Sequence, residues 1–349
     1  MDPGMERIRE QIKSMKCFGL DHSFEIIFDK QFLAPYARLD DLILTYPEYG
    51  GSAVYMMLAA DRLELTGIDF AHDPPVIEYR NAATGETGRL DNLWFFPFPV
   101  PRAGLHMKIL SSTVLEVGIR EEWRRRYPHL ADYAPLSIGL ADLVVQSRRD
   151  RETTDPYEIL YIGSSKDVYQ RLTRHETILK IYRHIMTAQP NRELFVLLLK
   201  PKPKFYRQSP GGSIQLTLSS SVWDREGPMK ADVGAENLLL IAEAMLINYF
   251  KPKFNEHYAH TRPSLSQAAY ARLLEGGVKH IQVNLNLFMQ PYKVRLSLRT
   301  DSRSTEGAKH VTVYGALESL MRGPEEDILC GEAMPDELYD LLMGEGERD

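Results

Sequence analysis

An apolar helix with a carboxylate in its middle constrains this chain more than any other feature. Residues AENLLLIAEAMLINYFKPKFNEHY read as one helix from about Ala235 to Tyr249, ended by Pro252, which cannot donate to a helix or fit its interior. The longest apolar stretch, Leu238 to Phe250, is interrupted by Glu243 and is too short to span a bilayer. Leu239, Leu240, Leu246 and Ile247 lie three or four positions from Glu243, so the carboxylate falls inside the apolar stripe. Ionised there, it costs on the order of several kcal/mol unless it is paired or bound to metal. Two partners stay open: a salt bridge to Arg171 or another cation, and a metal ion.

The chain has 349 residues and 40.0 kDa, which predicts two or three modules. At 44% apolar and 26% charged it has a globular composition, and collagen, coiled-coil and disordered classes are excluded. Cys17 and Cys330 lie too far apart in sequence for a zinc cluster or disulfide framework, which points to a reducing compartment. The opening MDPGMERIREQIKSMK is charged and amphipathic, without an apolar core of signal-peptide length. A cytoplasmic protein with no membrane partner is expected.

Charge divides the chain. Residues 1–136 hold 15 Lys and Arg against 20 Asp and Glu, residues 137–262 hold 18 against 14, and residues 263–349 hold 9 against 14. The middle segment is where a polyanion would bind, although the whole chain is at −6. The first segment predicts an α+β accessory domain: a helix from Glu6 to Lys16, a strand at FEIIF, a hairpin at VIEYRNAATGETGRLDNLWFF, and a helical stretch from Ala103 to Arg126. The last segment predicts strands HIQVNLNLF, KVRLSLRT and KHVTVYG, giving a β-rich accessory region with an acidic end from Pro324. Dinucleotide, P-loop, serine-hydrolase and HExxH signatures are absent, and the pair His257 and His260 is a weak metal signal.

Residues 137–262 carry the chemistry. A β-rich run ends at Tyr161-Ile162-Gly163, the polar turn Ser164-Ser165-Lys166-Asp167 follows, and a helix starts near Val168 with Ser165 or Asp167 as its N-cap. Arg171 and His175, four apart, share a face of that helix. ELFVLLLK, residues 193–200, reads as a buried strand, followed by the basic PKPKFYRQ and a hairpin-like GGSIQLTLSSS.

Tyr161-Ile162-Gly163, Arg171 with His175, Glu243 on a helix and a PKFN segment ending at Asn255 resemble, in order and spacing, the GIY-YIG nuclease superfamily. The resemblance covers roughly residues 137–260. It implies a small antiparallel three-stranded sheet flanked by helices, and a metal-dependent DNA endonuclease using Mg²⁺ or Mn²⁺. Tyr161 would orient or deprotonate water, aided by His175 or Lys166. Arg171 would hold phosphate oxygens, Glu243 the metal, and Asn255 would position Glu243 or the phosphate. Arg148, Arg149, Lys166, Lys200, Lys202, Lys204 and Arg207 would contact duplex DNA. The flanking segments would serve a homo-oligomer or a protein partner, in restriction, phage defence or mobile-element biology.

One position departs from the family. Its first motif places a tyrosine on the preceding strand, where Gly139-Leu140-Ala141 puts an alanine. Either Tyr133 or Tyr157 supplies the phenol, or the site works with one tyrosine, or the domain survives as a catalytically weakened DNA-binding or assembly module.

Overall fold

The computed structural model describes residues 23–40, 43, 51, 53–72, 75–91, 100, 104–147, 154–208, 214–217, 235–255, 280–289, 294–306, 308, 310–316 and 330–334. In chain order these form β1 (Ser23–Pro35), β2 (Ala53–Asp61), β3 (Leu63–Asp69), β4 (Val76–Asn81), β5 (Thr87–Leu90), β6 (Leu105–Ser111) and β7 (Val114–Ile119). Next come α1 (Glu121–Arg126), β8 (Leu136–Gly139), α2 (Leu140–Ser147), β9 (Tyr157–Ser165), α3 (Val168–Arg174), α4 (Glu176–Ala188), β10 (Arg192–Gln208), β11 (Ile214–Thr217) and α5 (Ala235–Phe250). The last are β12 (His280–Asn286), β13 (Phe288–Met289), β14 (Val294–Arg295), β15 (Leu298–Arg299), β16 (His310–Ala316) and β17 (Cys330–Met334). The fold is mixed α+β with more strand than helix. Among the described residues no helix is long and apolar enough to cross a membrane.

A nine-stranded mixed sheet organises the molecule, in the order β15-β9-β2-β10-β1-β12-β16-β17, with β11 pairing the far part of β10. All three expected segments, 1–136, 137–262 and 263–349, contribute strands to it, so one hydrogen-bonded sheet runs across both expected boundaries. It is also far larger than the three-stranded sheet implied by the resemblance. Within it, β9, β2 and β10 form three adjacent antiparallel strands.

The two faces of this sheet bury different partners. Helix α5 is apolar nearly all round, so it must be enclosed. Ile241, Ala242, Met245, Leu246 and Phe250 pack with Val54, Met56, Ile162, Leu197 and Val283 on one face. On the other face, Val168 and Leu172 of α3 and Ile178, Ile181 and Ile185 of α4 cover Tyr55, Met57, Leu160, Tyr161, Val196 and Leu198. The Asp167 side chain caps α3 by accepting from the Gln170 amide at 2.9 Å, one of the two caps expected there.

Between β2 and β9 the chain inserts a separate unit with its own core of Leu65, Ile77, Leu90, Leu115, Val117, Ile119 and Leu143. It contains two three-stranded antiparallel sheets, β3-β4-β5 and β6-β7-β8. The hairpin expected with its turn at Asn81 to Gly88 is present as β4 and β5, the turn itself spanning residues 82–86. The helix expected from Ala103 to Arg126 is instead the hairpin β6-β7 followed by the short α1. Leu115, Val117 and Ile119 alternate toward the core with period two, and that pattern outweighs helical propensity. The arginines ending α1 are engaged locally: Arg124 donates to the Ile119 and Tyr133 carbonyls, and Arg125 pairs with Glu121.

The strand expected at Gly139-Leu140-Ala141 is corrected too. β8 stops at Gly139, and Ala141 lies in α2, whose Leu140, Leu143 and Val144 plug the inserted core. Ala141 therefore occupies no motif strand. The helix expected from Glu6 to Lys16, Arg148, Arg149, His257 and His260 lie outside the described residues.

Candidate functional site

Strand pairing brings in a residue that sequence reading missed. β2 reads AVYMMLAAD and lies antiparallel to β9, with Tyr55 opposite Gly163 and Met57 opposite Tyr161. Tyr55 therefore stands on the neighbouring strand, beside the Tyr161-Ile162-Gly163 segment. The rings of Tyr55 and Tyr161 are 6.2 Å apart. Gly163 makes room for them: a Cβ there would fall 2.5 Å from Tyr55 Oη and 2.8 Å from Tyr161 Cε1.

Tyr161 reaches this face through a β-bulge. The register shifts between Met57 and Leu58, which leaves Leu160 as the extra residue of β9. Tyr157 and Ile159 pack in the core under α5, whereas Leu160 and Tyr161 both turn to the α3 side. Plain alternation would have left Tyr161 on the face of Tyr157. Neither other tyrosine named from the sequence is near the site: Tyr157 packs edge-on against Phe195 at 5.2 Å, and Tyr133 is exposed in the inserted unit.

The segment after α5 locks this geometry. Lys251 takes a left-handed backbone (φ 49°), which ends the helix and turns the chain back over β9. The Phe254 amide then donates to the carbonyl of the bulged Leu160 at 2.9 Å. Asn255, 2% exposed, accepts from the Ile162 amide and donates to the Ile162 carbonyl, both at 2.8 Å. Its side-chain amide thus holds the strand that carries Tyr161, rather than Glu243 or a phosphate. Asn255→Ala is expected to cost about 2–4 kcal/mol by leaving two buried backbone groups unpaired. Urea denaturation checks this, and a loss below about 0.5 kcal/mol would remove the clamp.

Arg171 is exposed on α3, and its charge acts on Tyr55, Tyr161 and Glu243. His175 is not on the same helix as expected. It caps the end of α3 and begins α4, with its backbone amide donating to the Arg171 carbonyl at 3.0 Å. Its ring lies 6.4 Å from that of Tyr161, and its Nδ1 is buried with no hydrogen-bond partner. Tyr55 Oη is likewise buried and meets no partner with hydrogen-bonding geometry, although the Arg171 guanidinium is close enough to act on it.

Glu243 comes from α5 on the opposite face. It is partly buried and accepts a hydrogen bond from Ser164 Oγ at 2.5 Å. The direct partner is thus a hydroxyl, and Arg171 acts through space. Burial pushes the carboxyl up to about 7, opposed by Ser164 and by the Arg171 charge. Burial also raises both phenols, helped for Tyr161 by the Glu243 charge and for Tyr55 by Tyr161. His175 is lowered by burial and then by Arg171. Near neutral pH the site therefore holds two neutral phenols, a neutral imidazole, a guanidinium and a carboxyl whose ionisation burial opposes.

The expected basic contacts are partly placed. Lys166 is exposed in the turn before α3. Leu194, Val196 and Leu198 of β10 face α3 and α4, and the same alternation puts Lys200 and Lys202 on that face, past the last β2 pairing at Leu199. The side chains of Lys204 and Arg207 lie outside the described residues. Among the described residues no group of three or more His, Cys, Asp or Glu gathers as a metal cage. A search of family models, of curated proteins and of solved structures finds no match to this chain.

Proposed function

We propose that this protein is a metal-dependent endonuclease of the GIY-YIG kind, hydrolysing phosphodiester bonds in duplex DNA. One observation carries the proposal: Tyr55 and Tyr161 meet from paired strands over Gly163, beside Arg171 and His175, with Glu243 delivered from the helix behind. The family's first-motif tyrosine, sought near residue 141, is supplied by Tyr55. The three adjacent antiparallel strands β9-β2-β10, embedded in a larger sheet, support this reading, which calls for a small antiparallel three-stranded sheet.

The donor set fits Mg²⁺ or Mn²⁺. Glu243 is a partly buried carboxylate with one oxygen engaged by Ser164, and its ionisation is opposed by burial. Magnesium commonly binds one or two carboxylates and completes its shell with water and substrate phosphate. Glu243 would hold such an ion, which would supply charge compensation at the phosphate and the departing oxyanion.

The remaining work falls to the chain. Arg171 grips non-bridging phosphate oxygens with its planar fork. Tyr55 and Tyr161, held as hydroxyls by their raised pKa values, orient the attacking water and do not act as phenolates. The water's proton passes to His175, whose imidazole burial and the Arg171 charge keep neutral. Cleavage of supercoiled plasmid and linear duplex in Mg²⁺, Mn²⁺ or EDTA tests the proposal. Metal-dependent nicking supports it, while DNA binding without cleavage in any metal would leave a binding module.

Lys200 and Lys202 continue the site's face along β10, where a phosphate backbone would track. Replacing both with Gln is expected to flatten the slope of log K against log salt by about 2, since each phosphate contact contributes about 0.9. Fluorescence anisotropy on a labelled duplex across a salt series measures this. An unchanged slope would place the DNA elsewhere.

A further inference from the structure

We propose that Ser164 is the positioning residue for Glu243: its hydroxyl holds one carboxylate oxygen and leaves the other to a divalent cation. The inference rests on Glu243 being the metal ligand and adds the group that orients it. Ser164 follows Gly163 directly, pairs with Val54 beside Tyr55, and stands three residues past Tyr161. Strand alternation sends it to the α5 face while Tyr55 and Tyr161 occupy the other. One strand thus supplies a phenol to one side of the site and a hydrogen-bond donor to the other.

Geometry and chemistry favour this role. Glu243 extends from mid-helix on a flexible side chain, and fixing it costs conformational entropy that the short Ser164 Oγ bond at 2.5 Å, with the Ser164 backbone beside it, offsets. A serine hydroxyl has one proton, and here it points to Oε2. The donor is itself held: Asn255 pins Ile162 from both backbone sides, and Phe254 pins Leu160. The neighbouring Ser165 has a different task, donating to the Asp167 carbonyl and accepting from the Asp167 amide in the turn before α3. Groups that orient a metal ligand typically change metal affinity by about 10–100-fold when removed.

The test is Mn²⁺ titration of the full chain without nucleic acid, read by electron paramagnetic resonance, together with melting in EDTA. Ser164→Thr keeps the hydroxyl and Ser164→Val removes it at nearly equal shape, so the pair isolates the hydrogen bond. Ser164→Ala and Ser164→Val are expected to bind Mn²⁺ about 10–100-fold more weakly, with Ser164→Thr close to wild type. Melts in EDTA should show both variants folded, with Ser164→Val the less stable because it leaves the Glu243 carboxyl without its hydroxyl donor. Equal Mn²⁺ affinity for Val, Thr and wild type, with binding lost in Glu243→Gln, overturns the role of Ser164 and keeps the metal site. Mn²⁺ binding that survives Glu243→Gln, or is absent from wild type, overturns the metal assignment itself.

Discussion

Glu243→Gln is expected to reduce single-turnover DNA cleavage by about 10³-fold or more while the protein stays folded. The lost charge compensation at the phosphate amounts to several kcal/mol, and about 4 kcal/mol corresponds to three orders of magnitude. Glutamine keeps the shape and can still accept from Ser164, so the packing of α5 is preserved. Its stability should show a specific pH signature. The Glu243 carboxyl is raised from 4.5 to about 7, so between these values the folded protein keeps a proton that the unfolded chain has lost. Stability in metal-free buffer therefore falls as pH rises through that window, by roughly 3 kcal/mol at most.

Two other carboxyls, both half-buried, contribute slopes of the same sign. Burial raises Glu193 to about 7 and Asp142 to about 6. Those slopes persist in the variant, so the difference between wild type and Glu243→Gln isolates Glu243. Thermal melts from pH 4.5 to 8 in EDTA should show wild type losing stability relative to the variant as pH increases. A variant markedly less stable than wild type at pH 8 would make Glu243 a structural partner, and the metal assignment would fall. Mg²⁺ should restore stability to wild type alone at pH 8, because it binds the ionised folded state.

Local chemistry was legible in the sequence where it depended on near neighbours. The strand carrying Tyr161 (though it runs on to Ser165, past the Gly163 end expected), the Asp167 cap, the helix bearing Arg171 and the apolar helix around Glu243 each follow from periodicity and turn residues close in sequence. What escaped depends on long-range pairing. Tyr55 is separated from Gly163 by the inserted unit, and Ala53-Val54-Tyr55 read alone is an ordinary strand start; the small-apolar-tyrosine pattern after Gly50-Gly51 was the one signal that pointed to it. The bulge at Leu160 hid which face Tyr161 takes, since period-two counting gives the wrong one. Asn255 was placed in the right neighbourhood, but its amide pairs with Ile162, a contact between positions 93 residues apart. The nine-stranded sheet likewise joins β1 to β12 across most of the chain. Strand candidates were visible, but their order was not.

Tyr55→Phe separates chemistry from folding more cleanly than any other substitution here. In the free protein Tyr55 Oη is buried and makes no hydrogen bond of full geometry, although Arg171 and Tyr161 both act on it. Removing it forfeits only these poorly formed contacts and relieves part of the cost of burying a hydroxyl, so the phenylalanine variant should melt close to wild type. In the proposed mechanism this hydroxyl turns to the attacking water beside Tyr161. Losing that contact should slow single-turnover cleavage about 100-fold or more. Tyr157→Phe is the control: its ring lies against Phe195 in the core on the other sheet face, and its rate should match wild type. A Tyr55→Phe variant that cuts DNA at the wild-type rate would remove Tyr55 from the site. One that is slow and also melts several degrees lower would mean that the hydroxyl has a structural partner instead.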